Sequence, residues 1–93
     1  MKSQVKVSDS STLLKFISEP YVIYTKRGYQ PVVDVLDVHR GIEGYLFISA
    51  VSLSDGLHAL SQANNDKLTG VVALVGKASK ERMAPYEVRD PDS

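Results

Sequence analysis

The chain has no cysteine. That excludes a disulfide framework, a thiol nucleophile and a thiolate metal site. It also fits a reducing compartment, so a cytoplasmic location is expected. An excess of charge of one sign is lacking too. The 11 Lys and Arg residues balance 11 Asp and Glu, for a formal net charge of zero. No global field therefore draws the protein to nucleic acid or to an acidic membrane, and any such binding must come from a local patch. No apolar run approaches the roughly 18 residues of a membrane span, and no membrane partner is expected. The opening stretch, MKSQVKVSD, holds no apolar core of a secretory signal. Low-complexity tracts and repeats at solenoid periods are absent as well.

What is present is the composition of an ordinary globular domain, 43% hydrophobic and 24% charged over 93 residues. A chain of this length folds alone, with little margin. Residues 1–93 are read as a single globular domain with a short flexible tail at 90–93.

The organising stretch is Tyr21 to Ala50, which reads as a three-strand meander. Tyr21 to Thr25 is β-branched and aromatic, hence a strand. Lys26 to Pro31 forms the turn, with Gly28 as the positive-φ position. Val32 to Arg40 alternates imperfectly, with Asp34 and Asp37 on opposite faces, which suggests an incompletely covered strand. Gly41 and Gly44 bracket the next turn. Tyr45 to Val51 is apolar on both faces and is placed centrally. Upstream, Gln4 to Val7 alternates as a short edge strand. Asp9 or Ser10 then offers an N-cap, and Leu13, Leu14, Phe16 and Ile17 make one apolar helical stripe, stopped near Ser18 by Pro20.

Downstream, Ser52 to Asp55 resembles a capping box. Leu53, Leu57 and Leu60 define an amphipathic helix ending near Asn64 and Asn65, residues that tolerate a left-handed cap. Gly56 in this helix allows close packing on the sheet. Leu68 to Val75 and Tyr86 to Arg89 are further strands, joined by a basic connector. The fold expected is α+β: a mainly antiparallel sheet of about five strands with two helices packed on one face. The helical link from Ala50 to Leu68 has the length of a parallel, right-handed crossover. Such a crossover would gather Lys77, Lys80 and Arg82 near Lys26 and Arg27.

These placements suggest a surface for nucleic acid. Tyr45 and Phe47, two apart on a strand, share a face. Aromatics on an open sheet face stack bases, and flanking cations hold phosphates. The expected site comprises Tyr24, Tyr29 and Tyr45 for stacking, with Lys26, Arg27, Lys77, Lys80 and Arg82 for phosphate. Phe47 and Tyr45 equally suit a core with the tyrosine hydroxyl reaching solvent. The expected function is a small non-enzymatic nucleic-acid-binding module, for single strands or with little sequence preference, and no cofactor or metal is expected. The alternative is an interaction or oligomerisation module using an exposed sheet edge, at Gln4–Val7 or Tyr86–Arg89. A homodimer is expected on that ground. An acid–base site built on Asp37 and His39 is the least supported reading, because two neighbours are not a ligand set. His58 falls off the leucine stripe. No glycine pattern matches a phosphate loop.

Overall fold

The computed structural model describes residues 3–5, 11–77, 79 and 84–91. In chain order the elements are β1 (Ser3–Gln4), β2 (Thr12–Phe16), β3 (Tyr21–Thr25), β4 (Gly28–Asp37), β5 (Ile42–Phe47), α1 (Val51–Gln62), β6 (Val72–Lys77) and β7 (Tyr86–Arg89). One mostly antiparallel sheet runs in the order β1-β5-β4-β2-β6-β7, and β3 pairs with β4. The β1–β5 pair is parallel. Among the described residues there is one helix, and none is long and apolar enough to cross a membrane.

The largest departure from the sequence reading is residues 12–16, expected as a helix and found as a strand. β2 pairs with β4 on one side and β6 on the other. Leu14 and Phe16 point inward and are fully buried, while Lys15 between them is exposed. The apolar spacing suits both periods, so it did not discriminate. A helix confined between Asp9 and Pro20 is too short to be stable by itself, whereas a strand between two neighbours satisfies its backbone on both edges. Among the described residues the sheet accordingly has seven strands against the roughly five expected, and the fold has one helix against two.

β2 and β3 lie end to end along one edge of β4. The register Leu14↔Asp37 gives way to Tyr21↔Val32, so the first strand carries two more residues than its partner over this interval. The excess is a bulge at residues 17–20, held by Ile17 N–H donating to Asp34 O (2.8 Å) and Asp34 N–H donating to Ser18 Oγ (3.1 Å). A bulge of this kind bends the strand and sharpens its twist. It lets one segment serve β6 in its first half and leave that partner in its second.

The core is filled by Leu14, Phe16, Val33, Val35, Leu46, Leu53, Leu57, Leu68, Ala73 and Val75. α1 contributes Leu53 and Leu57 and packs against β7. Gly56 is the point of closest approach: a Cβ there would stand 2.7 Å from Val88 Cγ2. The expected capping box is not formed. Ala50 is the N-cap without a side-chain bond, and Ser52 Oγ instead accepts the Tyr86 N–H at 2.9 Å, tying the helix to β7. The helix ends at Gln62 with Ala63 as a right-handed C-cap, and the left-handed residues Asn65 and Asp66 (φ 61° each) follow in the next turn.

The parallel crossover is overturned. β4 and β2 stand between β5 and β6, and each antiparallel step reverses direction, so the link through α1 joins non-neighbouring strands. The reason is β2, which occupies the slot beside β4. β5 is also not central; it lies between β4 and the two-residue β1.

Candidate nucleic-acid interface

The β3–β4 hairpin turns through Lys26 and Arg27. Gly28 has φ +99°, the left-handed conformation expected of it. Thr25 fixes the turn: its Oγ1 accepts the Arg27 N–H (3.1 Å) and donates to Gly28 O (3.0 Å). Both cations are exposed. The register sets Val32 opposite Phe47 and Asp34 opposite Tyr45. Because side chains alternate, Thr25, Gln30, Val32, Asp34, Tyr45 and Phe47 occupy one face of the sheet, away from the core residues Val33, Val35 and Leu46.

On that face a shallow cleft of about 490 Å³ is lined by Gln4, Thr25, Lys26, Arg27, Gln30, Phe47 and Ser49. Its size lies in the usual range of ligand sites. Phe47 forms its apolar wall and meets Tyr45 edge-on, with ring centroids 5.4 Å apart. Beneath it Val32 is fully buried. Asp34, 8% exposed, accepts a hydrogen bond from the Tyr21 hydroxyl at 2.6 Å. The expectation of an incompletely covered strand therefore fails, since Asp37 is buried as well (7%). The Asp37 carboxylate accepts the Arg40 N–H (3.2 Å), and its second oxygen lies 3.8 Å from Arg40 Nε. It caps the β4–β5 turn, and His39 is exposed.

The structure brings together Lys26 and Arg27, and sets Tyr45 against Phe47 beside them. It does not bring Tyr24 and Tyr29 to this cleft. Those rings pack edge-on at 5.1 Å on the reverse face of the hairpin, 76% and 75% exposed. Lys77 ends β6, with its Nζ 5.7 Å from the centre of the Tyr86 ring. Tyr86 in turn shares with Gln4, Val5 and Phe47 a small gap between the two ends of the curled sheet. Lys77 thus packs on Tyr86 and lines no part of the cleft, and the crossover expected to bring it to Lys26 and Arg27 is not formed. Lys80 and Arg82 lie outside the described residues. Sequence reasoning left out Phe47, Gln4, Gln30 and Ser49. The two-residue spacing of Tyr45 and Phe47 was the available signal for Phe47; the other three depend on register between strands.

Glu19, in the bulge, has a different role. Its carboxylate accepts the Thr69 hydroxyl (2.6 Å), the Thr69 N–H (2.8 Å) and the Leu68 N–H (2.9 Å). The bonds from Thr69, above all, hold its carboxyl below the ordinary value; Leu68 and the charge of Lys67 add to them, outweighing desolvation. This clamp pins the bulge to the turn that enters β6. Among the described residues no group of three or more His, Asp or Glu is placed to hold a metal ion.

Comparison of the chain with protein-family models, curated proteins and solved structures finds no match.

Proposed function

We propose that this protein is a non-enzymatic nucleic-acid-binding module of the cytoplasm, taking single strands with little sequence preference. The observation that carries the reading is the cleft in which Lys26 and Arg27 flank Phe47, with Tyr45 behind it. Phe47 is the stacking platform, and the two cations contact phosphate. Gln4, Gln30 and Ser49 supply donors and acceptors for base edges or sugar. Tyr24, Tyr29 and Lys77 do not line this cleft.

Strand order supports the reading by analogy. If β2 and β3 count as one bent strand, the order β5-β4-β2-β6-β7, with a helix between β5 and β6, resembles an OB-type Greek-key barrel. In such barrels the face of the second and third strands and the loop joining the first two bind oligonucleotides or oligosaccharides. Their counterparts here are the β4–β5 face and the Lys26–Arg27 turn. A fold hosts many functions, so the residues decide. The adjacent cations favour the polyanion of the two ligand classes.

The test is fluorescence anisotropy of labelled single- and double-stranded oligonucleotides at two salt concentrations. Single strands should bind, with affinity that falls with salt. Lys26→Ala and Arg27→Ala should each lower the salt slope by about one. Phe47→Ala should weaken binding by roughly 1–3 kcal/mol, while Tyr24→Ala leaves it unchanged. No binding at low salt refutes the reading. The alternative, association through a sheet edge, is favoured by β1 and β7 forming the two ends of the strand order. It predicts a salt-tolerant assembly.

A further inference from the structure

Among the described residues, β3 pairs with β4 on one side and with no strand on the other. Pro31 has no N–H and sits opposite Val22; its carbonyl accepts from Ile48 N–H on the β5 side (3.0 Å). The bonds between β3 and β4 are therefore carried by the Tyr21/Val32, Ile23/Gln30 and Thr25/Gly28 pairs. The N–H and C=O groups of Val22 and Tyr24 point away from β4. Beyond the bulge β6 no longer follows, and among the described elements β3 touches only β4.

Exposed edges are normally protected by being very short, by charge or by proline. β1 has two residues, and β7 carries Glu87 and Arg89. β3 has five residues, YVIYT, with no charge, and Val22 and Tyr24 are 59% and 76% exposed.

We propose that β3 is a homodimer interface, in which two copies pair antiparallel about Ile23. The parity of the free groups permits this register, which pairs Val22 and Tyr24 of both copies at once. Val22 of one copy and Tyr24 of the other exchange both backbone bonds, and the two Ile23 residues face each other as a non-hydrogen-bonded pair. The side chains agree, because Val22 beside the partner's Tyr24 is a favourable β-branched–aromatic pair. The charges agree as well. Glu19 lies just before the strand, and Lys26 and Arg27 just after it. Antiparallel pairing brings the acidic end of each strand to the basic end of the other, whereas parallel pairing sets like against like. A net charge of zero adds no global repulsion. The two-fold axis is perpendicular to the sheet, so both Phe47 clefts open on the same side. The pairing stands independently of what those clefts bind.

Two experiments on the full chain test this. Sedimentation equilibrium over a concentration series should show a monomer–dimer equilibrium. Val22→Pro removes an outward N–H and the valine side chain beside the partner's Tyr24, in an edge position that tolerates proline. It should weaken association by roughly tenfold to a hundredfold with far-UV circular dichroism and melting unchanged. The second experiment uses the absence of natural thiols. In the proposed dimer the Ile23 Cα atoms are about 4.5 Å apart, within disulfide reach. Ile23→Cys should therefore cross-link to itself under mild oxidation. Val22→Cys faces Tyr24, so its own counterpart is more than about 7 Å away, and it should stay monomeric on a non-reducing gel. A wild-type protein that stays monomeric at every concentration overturns the proposal. So does a dimer that survives Val22→Pro while Ile23→Cys fails to cross-link, since that dimer uses another edge.

Discussion

Gly56→Ala sets two effects of opposite sign against each other, and the structure decides between them. In a free helix the change is favourable by about 1 kcal/mol, because alanine has less conformational freedom to lose. Here the added Cβ would stand 2.7 Å from Val88 Cγ2 and 3.1 Å from Val88 Cβ. Carbon contacts are optimal near 3.5–4.0 Å, so about 1 Å must be found. Val88 cannot supply it freely. Its branched side chain is stiff at χ1, and it sits opposite the fully buried Val75. Moving α1 instead loosens Leu53 and Leu57 from the core. Overpacking of this kind costs about 1–3 kcal/mol. Set against the helix gain, the expected net is a loss of about 1 kcal/mol, or a fall of about 4–8 °C in Tm for a domain of this size. Urea unfolding followed by circular dichroism measures it. In the Val88→Ala background the 2.7 Å contact with Cγ2 is gone and only the 3.1 Å contact with Cβ remains, so Gly56→Ala should there cost clearly less than it does with Val88 intact. A Gly56→Ala variant more stable than wild type with Val88 intact would refute the argument.

Acid should reveal the Glu19 clamp. Its carboxyl is held below the ordinary 4.5 in the folded protein, so its stabilisation is full above that value and is lost as pH falls through the lowered one. Wild type should lose stability more steeply than Glu19→Gln below about pH 4.5 in pH-dependent urea titrations; parallel curves would remove the clamp from the account. Phe16→Ala empties a fully buried site in a strand held on both edges, and should cost about 3–5 kcal/mol. Lys15→Ala next to it should change stability by less than about 0.5 kcal/mol. Equal losses at both positions would contradict the strand assignment. Tyr21→Phe removes the 2.6 Å donor to the buried Asp34 carboxylate, and should cost about 1.5–3 kcal/mol by chemical denaturation.

Much of the local structure is legible in the residues themselves. Tyr21–Thr25 and Tyr86–Arg89 are strands at the boundaries that β-branched and aromatic composition suggests. The leucine stripe marks α1, Gly28 takes the positive φ a hairpin turn requires, and Asn65 is left-handed just beyond the helix. Each depends on interactions within a few positions of chain, so the sequence contains its cause. Leu13 to Ile17 is different. Its spacing satisfies a helical stripe and a strand alternation equally, and the choice depends on partners at residues 35–37 and 72–75. Ser52 likewise has the chemistry of a cap, but spends its hydroxyl on the N–H of Tyr86, 34 residues away.

The candidate site divides along the same line. That Tyr45 and Phe47 share a face, and that Lys26 and Arg27 sit at a turn, follows from alternation and turn chemistry alone. Which cations accompany which rings is a matter of register and strand order, and strand order changed once β2 entered the sheet beside β4. Gln4, Gln30 and Ser49 come from separate segments and meet at Phe47 only because β1, β4 and β5 are neighbours. Composition and spacing determined most of the elements and their apolar faces, β2 excepted, since those follow from short-range sterics and solvation. Tertiary pairing alone decided the contents of the cleft and the unpaired edge of β3, because backbone hydrogen bonds between strands depend on which segments meet and carry little imprint of side-chain identity.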